Sequence, residues 1–188
     1  ILLMLFSTAQ LFPAAVAYYY DEFGLIKVFF NTLLATFLCG FLLYITNSSR
    51  KEDLRTKDGF VITVLFWTVL AIFGSFPFFF AEDIKISYVD SLFESISGLT
   101  TTGATVLTGL DELPRSILFY RQLLQWLGGM GIIVLAVAVL PLLGIGGMQL
   151  YKAETPGPLK DAKLTPRIKE TAKALWYVYL TMTILCAA

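Results

Sequence analysis

The sequence predicts an all-α integral membrane protein. Its centre is a helix–re-entrant pore loop–helix repeat of cation-channel type, preceded by two extra transmembrane helices. Three observations carry this expectation. Hydrophobic residues make up 57 % of the chain and charged residues only 15 %, against about 25 % charged in ordinary soluble domains; that much apolar surface needs lipid as its solvent. Apolar runs long enough to cross a bilayer recur along the chain, about five in all. One apolar segment too short to cross, residues 88–99, stands between two long ones and leads into Thr100-Thr101-Thr102-Gly103-Ala104-Thr105.

A spanning helix needs about 20 mainly apolar residues. The first span is expected over residues 1–20, kinked at Pro13 because proline cannot donate to the helical ladder. The second covers 25–45 and is closed by Asn47-Ser48-Ser49-Arg50-Lys51. The third covers 59–80. The fourth covers 116–150 and carries no charge after Arg121. A fifth begins near Ala172 and runs to residue 188. The domain plan is therefore two leading helices and a loop over 1–58, a first pore repeat over 59–151, a cytoplasmic linker over 152–171, and the start of a second repeat over 172–188. Both ends lie inside apolar runs, so the sequence is expected to be part of a longer polypeptide. The first run has neither a basic lead nor a small-residue cleavage site before a soluble domain, which argues against a signal peptide.

Lys and Arg set the topology. Arg50, Lys51, Arg55 and Lys57 mark the 46–58 loop as cytoplasmic, and Lys152, Lys160, Lys163, Arg167, Lys169 and Lys173 do the same for 151–173. The short connections holding Asp21 and Glu22, and Glu82, Asp83 and Lys85, are then external. The third span ends outside and the fourth begins outside, so residues 88–99 must enter and return on one side. Asp90 or Ser91 is expected to cap this helix, with Ser91-x-x-Glu94 as a capping box, and Gly98 and Gly103 are expected to let the chain turn back. Irregular backbone at that depth must be buried in protein or line water.

The chemistry of the turn follows. A helix C-terminus carries about half a negative charge, and here it would end at Leu99. Beyond it, the carbonyls of Thr101, Thr102 and Gly103 could replace the water ligands of a partly dehydrated cation, with the small Ala104 leaving space at the outer mouth and with Thr100 and Thr105 flanking. The plainer alternative is a polar turn whose threonines bond to nearby carbonyls. One loop cannot make a ring, so further copies must come from the rest of the chain or from other subunits.

Other polar residues have structural readings beside functional ones. Glu94 reads as the capping-box acceptor, or as a buried charge that concentrates cations. Arg121 can snorkel or pair with Glu94 or Asp111. Asp111 and Glu112 read as a solvated loop near the mouth, and Gln122 and Gln125 as cross-links between helices. Gly128-Gly129-x-Gly131 reads as a close helix contact, and Pro141, Gly144, Gly146 and Gly147 as an irregular stretch. Glu154-Thr155-Pro156-Gly157-Pro158 reads as a turn in a topogenic connector, or as a contact for a cytosolic regulator.

Several function classes are disfavoured. The formal net charge is zero, which gives no field to attract nucleic acid. Histidine is absent, removing the commonest general base and metal ligand. Cys39 and Cys186 lie far apart in apolar runs and read as buried thiols. No glycine run follows a strand in the manner of a nucleotide-binding loop, and no cofactor is expected besides the ion itself.

The residues carry a specific resemblance. Ser97-Gly98-Leu99-Thr100-Thr101-Thr102-Gly103-Ala104-Thr105 resembles the first filter of the bacterial Trk/Ktr/HKT superfamily of K+ transporters. Gly109-Leu110-Asp111-Glu112-Leu113-Pro114 and Arg121-Gln122-x-x-Gln125-Trp126-x-Gly128-Gly129-Met130-Gly131 extend it. Gly144-Ile145-Gly146-Gly147-Met148-Gln149-Leu150-Tyr151 and Ala153-Glu154-x-Pro156-Gly157-Pro158 are similar to the TrkH-type branch. The resemblance implies four covalently joined repeats around one pore, of which this chain holds the first, with two additional helices ahead of them. It places the filter glycine on Gly103 and the filter carbonyls on Thr101, Thr102, Gly103 and Ala104, with K+ at Thr101, Thr102 and Gly103. It also implies K+ uptake across the bacterial cytoplasmic (inner) membrane by a multi-pass homodimer, regulated by a cytosolic nucleotide-binding subunit of the TrkA type. These residues are compatible both with symport and with conduction driven by the membrane potential alone.

Two other readings stand beside this one. A homotetrameric two-helix channel would supply its ring by symmetry, but the leading helices and the late fifth span weigh against it. An intramembrane enzyme with a threonine nucleophile would need a base within reach; the chain has no histidine, and the lysines within its spans, Lys27 and Lys173, stand at span ends far along the chain from the threonines. A non-enzymatic protein is therefore expected.

Overall fold

The computed structural model describes residues 2–47, 56–139 and 164–187, and among them the regular structure is helical. The elements are α1 (Leu2–Ala9), α2 (Leu11–Tyr19), α3 (Phe23–Asn47), α4 (Thr56–Phe80), the short α5 (Tyr88–Leu99), a 3-10 turn at Leu110–Glu112, α6 (Arg115–Val139) and α7 (Leu164–Ala187). The chain divides into two units, Ile1–Gly128 and Gly129–Ala188. The second contains the end of α6 and α7. Arg50, Lys51, Arg55, Lys152, Lys160 and Lys163 lie outside the described residues, as do Pro141, the 144–151 motif and the 153–158 motif.

The leading helices bury polar residues beside Leu3, Phe6, Leu25 and Phe29 and leave many large apolar side chains exposed. Ser7, Gln10, Thr32 and Thr36 are buried, while Leu2, Leu5, Leu11, Phe12, Phe30 and Leu34 are exposed. Helices in lipid gain nothing by hiding leucine from hydrocarbon, so small and polar residues take the helix contact. Both α1 and α2 pack on α3. Thr32 Oγ1 donates to Gln10 Oε1 at 2.6 Å, and Gly40 lets α1 come so near that a Cβ there would stand 3.1 Å from the Met4 backbone nitrogen. Leu2–Tyr19 and Phe23–Thr46 are long and apolar enough to cross a bilayer; Val64–Phe80 and Lys173–Cys186 are shorter apolar stretches.

The first stretch is interrupted at Gln10, not at Pro13 as the sequence suggests. Pro13 is the third residue of α2, in the first turn, where N–H groups have no helical partner and proline costs little. Helix α7 starts at Leu164, and its apolar stretch, Lys173–Cys186, begins beside the expected residue 172.

Around α6 the first unit closes into an aromatic core. Tyr120 is buried between Phe29 of α3 and Phe78 of α4, with ring centroids 5.6 Å and 5.1 Å away. Its hydroxyl donates to the Gly74 carbonyl at 2.9 Å. Leu25, Ile117 and Leu124 complete this core. The turn between α2 and α3 also reaches α6: Glu22 accepts from the Arg115 N–H at 2.7 Å, the Ser116 N–H at 3.2 Å and the Ser116 hydroxyl. It caps a helix whose first residue is 93 positions away.

Candidate functional site

Helix α5 has 12 residues, about 18 Å at 1.5 Å per residue, too short to cross a bilayer. Its cap is Ser87, one turn before the position expected from the sequence. The Ser87 hydroxyl accepts from the Asp90 N–H at 3.1 Å, and the Asp90 carboxylate accepts from the Ser87 N–H at 3.3 Å. The capping box is thus Ser87–Asp90; Ser91 and Glu94 are both buried and Glu94 is engaged elsewhere.

At its other end α5 closes with a Schellman arrangement. Thr101 N–H donates to the Gly98 carbonyl at 2.9 Å, and Thr102 N–H to the Ser97 carbonyl at 3.0 Å. This motif needs a left-handed residue just past the cap, usually glycine; here Thr101 takes it, with φ +56°. A β-branched residue in that region is a genuine outlier, of the kind that gathers at functional sites. Gly98 is not the turn residue that the sequence suggests. It remains helical and packs on α6, where a Cβ would stand 2.9 Å from Leu124 Cβ. Gly103 does have the expected positive φ, +74°.

From Thr101 the backbone runs back along α5. Gly103 N–H reaches the Ser97 carbonyl at 3.4 Å, and the Ser97 hydroxyl donates to the Ala104 carbonyl at 2.6 Å. One helical turn further back, Glu94 Oε1 accepts from the Thr105 hydroxyl at 2.6 Å and from the Val106 N–H at 2.7 Å. Its other oxygen, Oε2, is 2.9 Å from Arg121 Nε. Glu94 is therefore neither a cap nor a free charge that concentrates cations; its carboxylate is occupied by the returning strand and by α6. Of the two partners proposed for Arg121, it takes Glu94, not Asp111.

These bonds draw the N–H groups of the strand toward α5. Residues 100–106 are exposed on their other side. Among the described residues, no hydrogen bond ends on the carbonyls of Thr101, Thr102 or Gly103, whereas the Ala104 carbonyl is tied to Ser97. The Thr100 and Thr102 hydroxyls lie 2.8 Å apart, and Thr100 Oγ1 also donates to the Ile96 carbonyl. The arrangement leaves three consecutive carbonyls available to a cation at the C-terminal end of a helix. Asp111 and Glu112 sit exposed in the 3-10 turn. Gln122 and Gln125 form no cross-helix hydrogen bond among the described residues; a Cβ on Gly103 would lie 3.7 Å from Gln125 Nε2.

The end of α5 rests on α6 through Gly128. A side chain at this position would overlap the Leu99 carbonyl and come within 2.7 Å of its carbon. The sequence marked the glycine cluster as a close contact without naming its partner. It gave no sign of the double use of Ser97, whose carbonyl and hydroxyl both hold the strand.

The family model described as "TrkH: Cation transport protein" matches residues 25–188. The chain is 60 % identical over 187 residues to the Trk system potassium uptake protein TrkH of Vibrio parahaemolyticus, a match that covers 100 % of this chain and 38 % of that protein. It is 54 % identical, with the same coverage, to the TrkH protein of Escherichia coli K12. The crystal structure of the potassium transporter TrkH from Vibrio parahaemolyticus superposes with a TM-score of 0.81 at 54 % identity, over 98 % of this chain and 36 % of that one. The chain thus spans about two-fifths of the length of the relatives it matches. It belongs to the TrkH family of cation transport proteins.

Proposed function

We propose that this chain forms the first pore unit of a potassium uptake protein, with the carbonyls of Thr101, Thr102 and Gly103 acting as its share of the selectivity filter. The observation that carries this reading is the strand after α5, whose N–H groups bond back to the helix while three consecutive carbonyls stay unbonded. Carbonyl dipoles held in this way can replace the hydration shell of a monovalent cation, and the helix C-terminus adds favourable potential. The Ala104 carbonyl, shared with Ser97, closes the outer end. Helix α5 enters and leaves on the external face between the spans of α4 and α6, in a multi-pass protein of the bacterial inner membrane. The remaining carbonyls of the ring come from the rest of the polypeptide. The homodimer and the cytosolic nucleotide-binding regulator of TrkA type belong to the same reading.

The relatives' names, Trk system potassium uptake proteins, support K+ as the ion. The test is growth at low potassium in cells stripped of their own K+ uptake systems and carrying the full-length protein. Rescue with uptake of radioactive rubidium supports the reading. No rescue, with the protein shown to be in the membrane and a soluble regulator supplied, contradicts it.

A further inference from the structure

We propose that Glu94 and Arg121 are positioning residues that set ion selectivity, by fixing the outer end of the Thr101–Gly103 strand. The inference rests on the filter reading above and goes beyond it by naming what holds the carbonyls in place.

The strand has two anchors. The inner one is the end of α5, where the Ser97 and Gly98 carbonyls receive the N–H groups of Thr101, Thr102 and Gly103. The Ser97 hydroxyl extends this anchor to the Ala104 carbonyl; beyond Ala104 the outer anchor is the Glu94 carboxylate. Glu94 is 2 % exposed, and it holds the strand at two points, Thr105 Oγ1 and Val106 N. Thr105 Oγ1 in turn accepts from the Leu107 N–H at 3.1 Å, so the hold extends one residue further.

A carboxylate could rotate about its own side chain and release the strand. Arg121, 8 % exposed, prevents this by engaging Oε2 at 2.9 Å. Arg121 is itself fixed, because its helix begins under the Glu22 cap and carries Tyr120 into the aromatic core. Glu94 therefore joins three elements: α5, the returning strand and α6. Carbonyl spacing in a filter is a geometric quantity, and freeing one of two anchors lets that spacing vary. Partners behind a metal ligand of this kind are worth about tenfold or more in affinity when removed.

The experiment measures the K+/Na+ permeability ratio of the full-length protein in liposomes for three variants. Glu94→Gln keeps an acceptor for the strand but breaks the ion pair. Thr105→Val keeps the ion pair but removes one hold on the strand. Gly103→Ser alters the filter directly. Thermal stability and membrane abundance are recorded for each. The expected result is a ratio lowered about tenfold in Glu94→Gln and lowered in Thr105→Val, in protein that remains folded and permeable to K+. If Glu94→Gln does not fold, Thr105→Val decides alone. An unchanged ratio in the folded clamp variants, with Gly103→Ser lowered, overturns the clamp and leaves the filter reading standing. An unchanged ratio in all three overturns both.

Discussion

The Leu99 carbonyl, at the C-terminal end of α5, lies directly against Gly128 of α6 with no room for a Cβ between them. This contact fixes how deep the strand after α5 is seated. The carbonyl belongs to a helix end, one of the groups left without a helical partner, and its position sets the start of the left-handed turn at Thr101. Gly128→Ala is expected to push α5 away from α6, at a cost of about 1–3 kcal/mol, as for overpacking in general. The thermal unfolding midpoint of the full-length protein in detergent should fall, and rubidium uptake with it. An unchanged midpoint would show that the two helices do not meet at this residue.

Thr101 is held at φ +56°, where glycine would rest without strain. The conformation costs about 1–3 kcal/mol, and glycine would give back about 0.5–1 kcal/mol through the entropy of the unfolded chain. Thr101→Gly is therefore expected to unfold at the same temperature or slightly higher, while K+/Na+ selectivity falls because the strand loses stiffness. A variant that is strongly destabilised would argue against the left-handed assignment.

Glu22 caps α6 from a turn more than ninety residues earlier, joining the leading helices to the unit that bears the strand. Glu22→Ala leaves the Arg115 and Ser116 N–H groups without their acceptor and is expected to cost about 1–2 kcal/mol, the usual range for a lost helix cap. Glu22→Gln should cost less, because an amide oxygen still accepts. Unfolding midpoints for the pair test this order, and equal values would contradict it.

Tyr120 separates packing from hydrogen bonding. Tyr120→Phe keeps the ring against Phe29 and Phe78 but leaves the Gly74 carbonyl without the hydroxyl, for about 1 kcal/mol. Tyr120→Ala also opens a cavity and should cost about 3–5 kcal/mol. Chemical or thermal unfolding of both variants measures the difference.

Which features the sequence revealed follows from which interactions are local. The helices were legible because bilayer-length apolar runs are a local property, and the positive φ of Gly103 was legible because few other residues accept it. The cap of α5 was misplaced because Ser87-x-x-Asp90 and Ser91-x-x-Glu94 satisfy the same pattern one turn apart. Glu94 is withdrawn from the second by Arg121, Thr105 and Val106, partners that a local motif does not contain. The break at Gln10 was hidden behind Pro13 because proline in a first turn breaks nothing. Arg121 was placed beside a carboxylate, but only three-dimensional proximity chose Glu94 over Asp111. Gly98 was expected, with Gly103, to let the chain turn back; packing against Leu124 keeps Gly98 helical, and the first left-handed residue is Thr101.

The central claim is that the strand through Gly103 forms part of a potassium filter. The most direct measurement is the K+/Na+ permeability ratio of the full-length protein with and without Gly103→Ser. A side chain at φ +74° is strained wherever it points, so the backbone must shift and the carbonyls with it. The expected result is a variant that still reaches the membrane and conducts, with its preference for K+ over Na+ reduced at least about tenfold. A folded variant whose ratio equals that of the parent would show that ions do not pass along this strand.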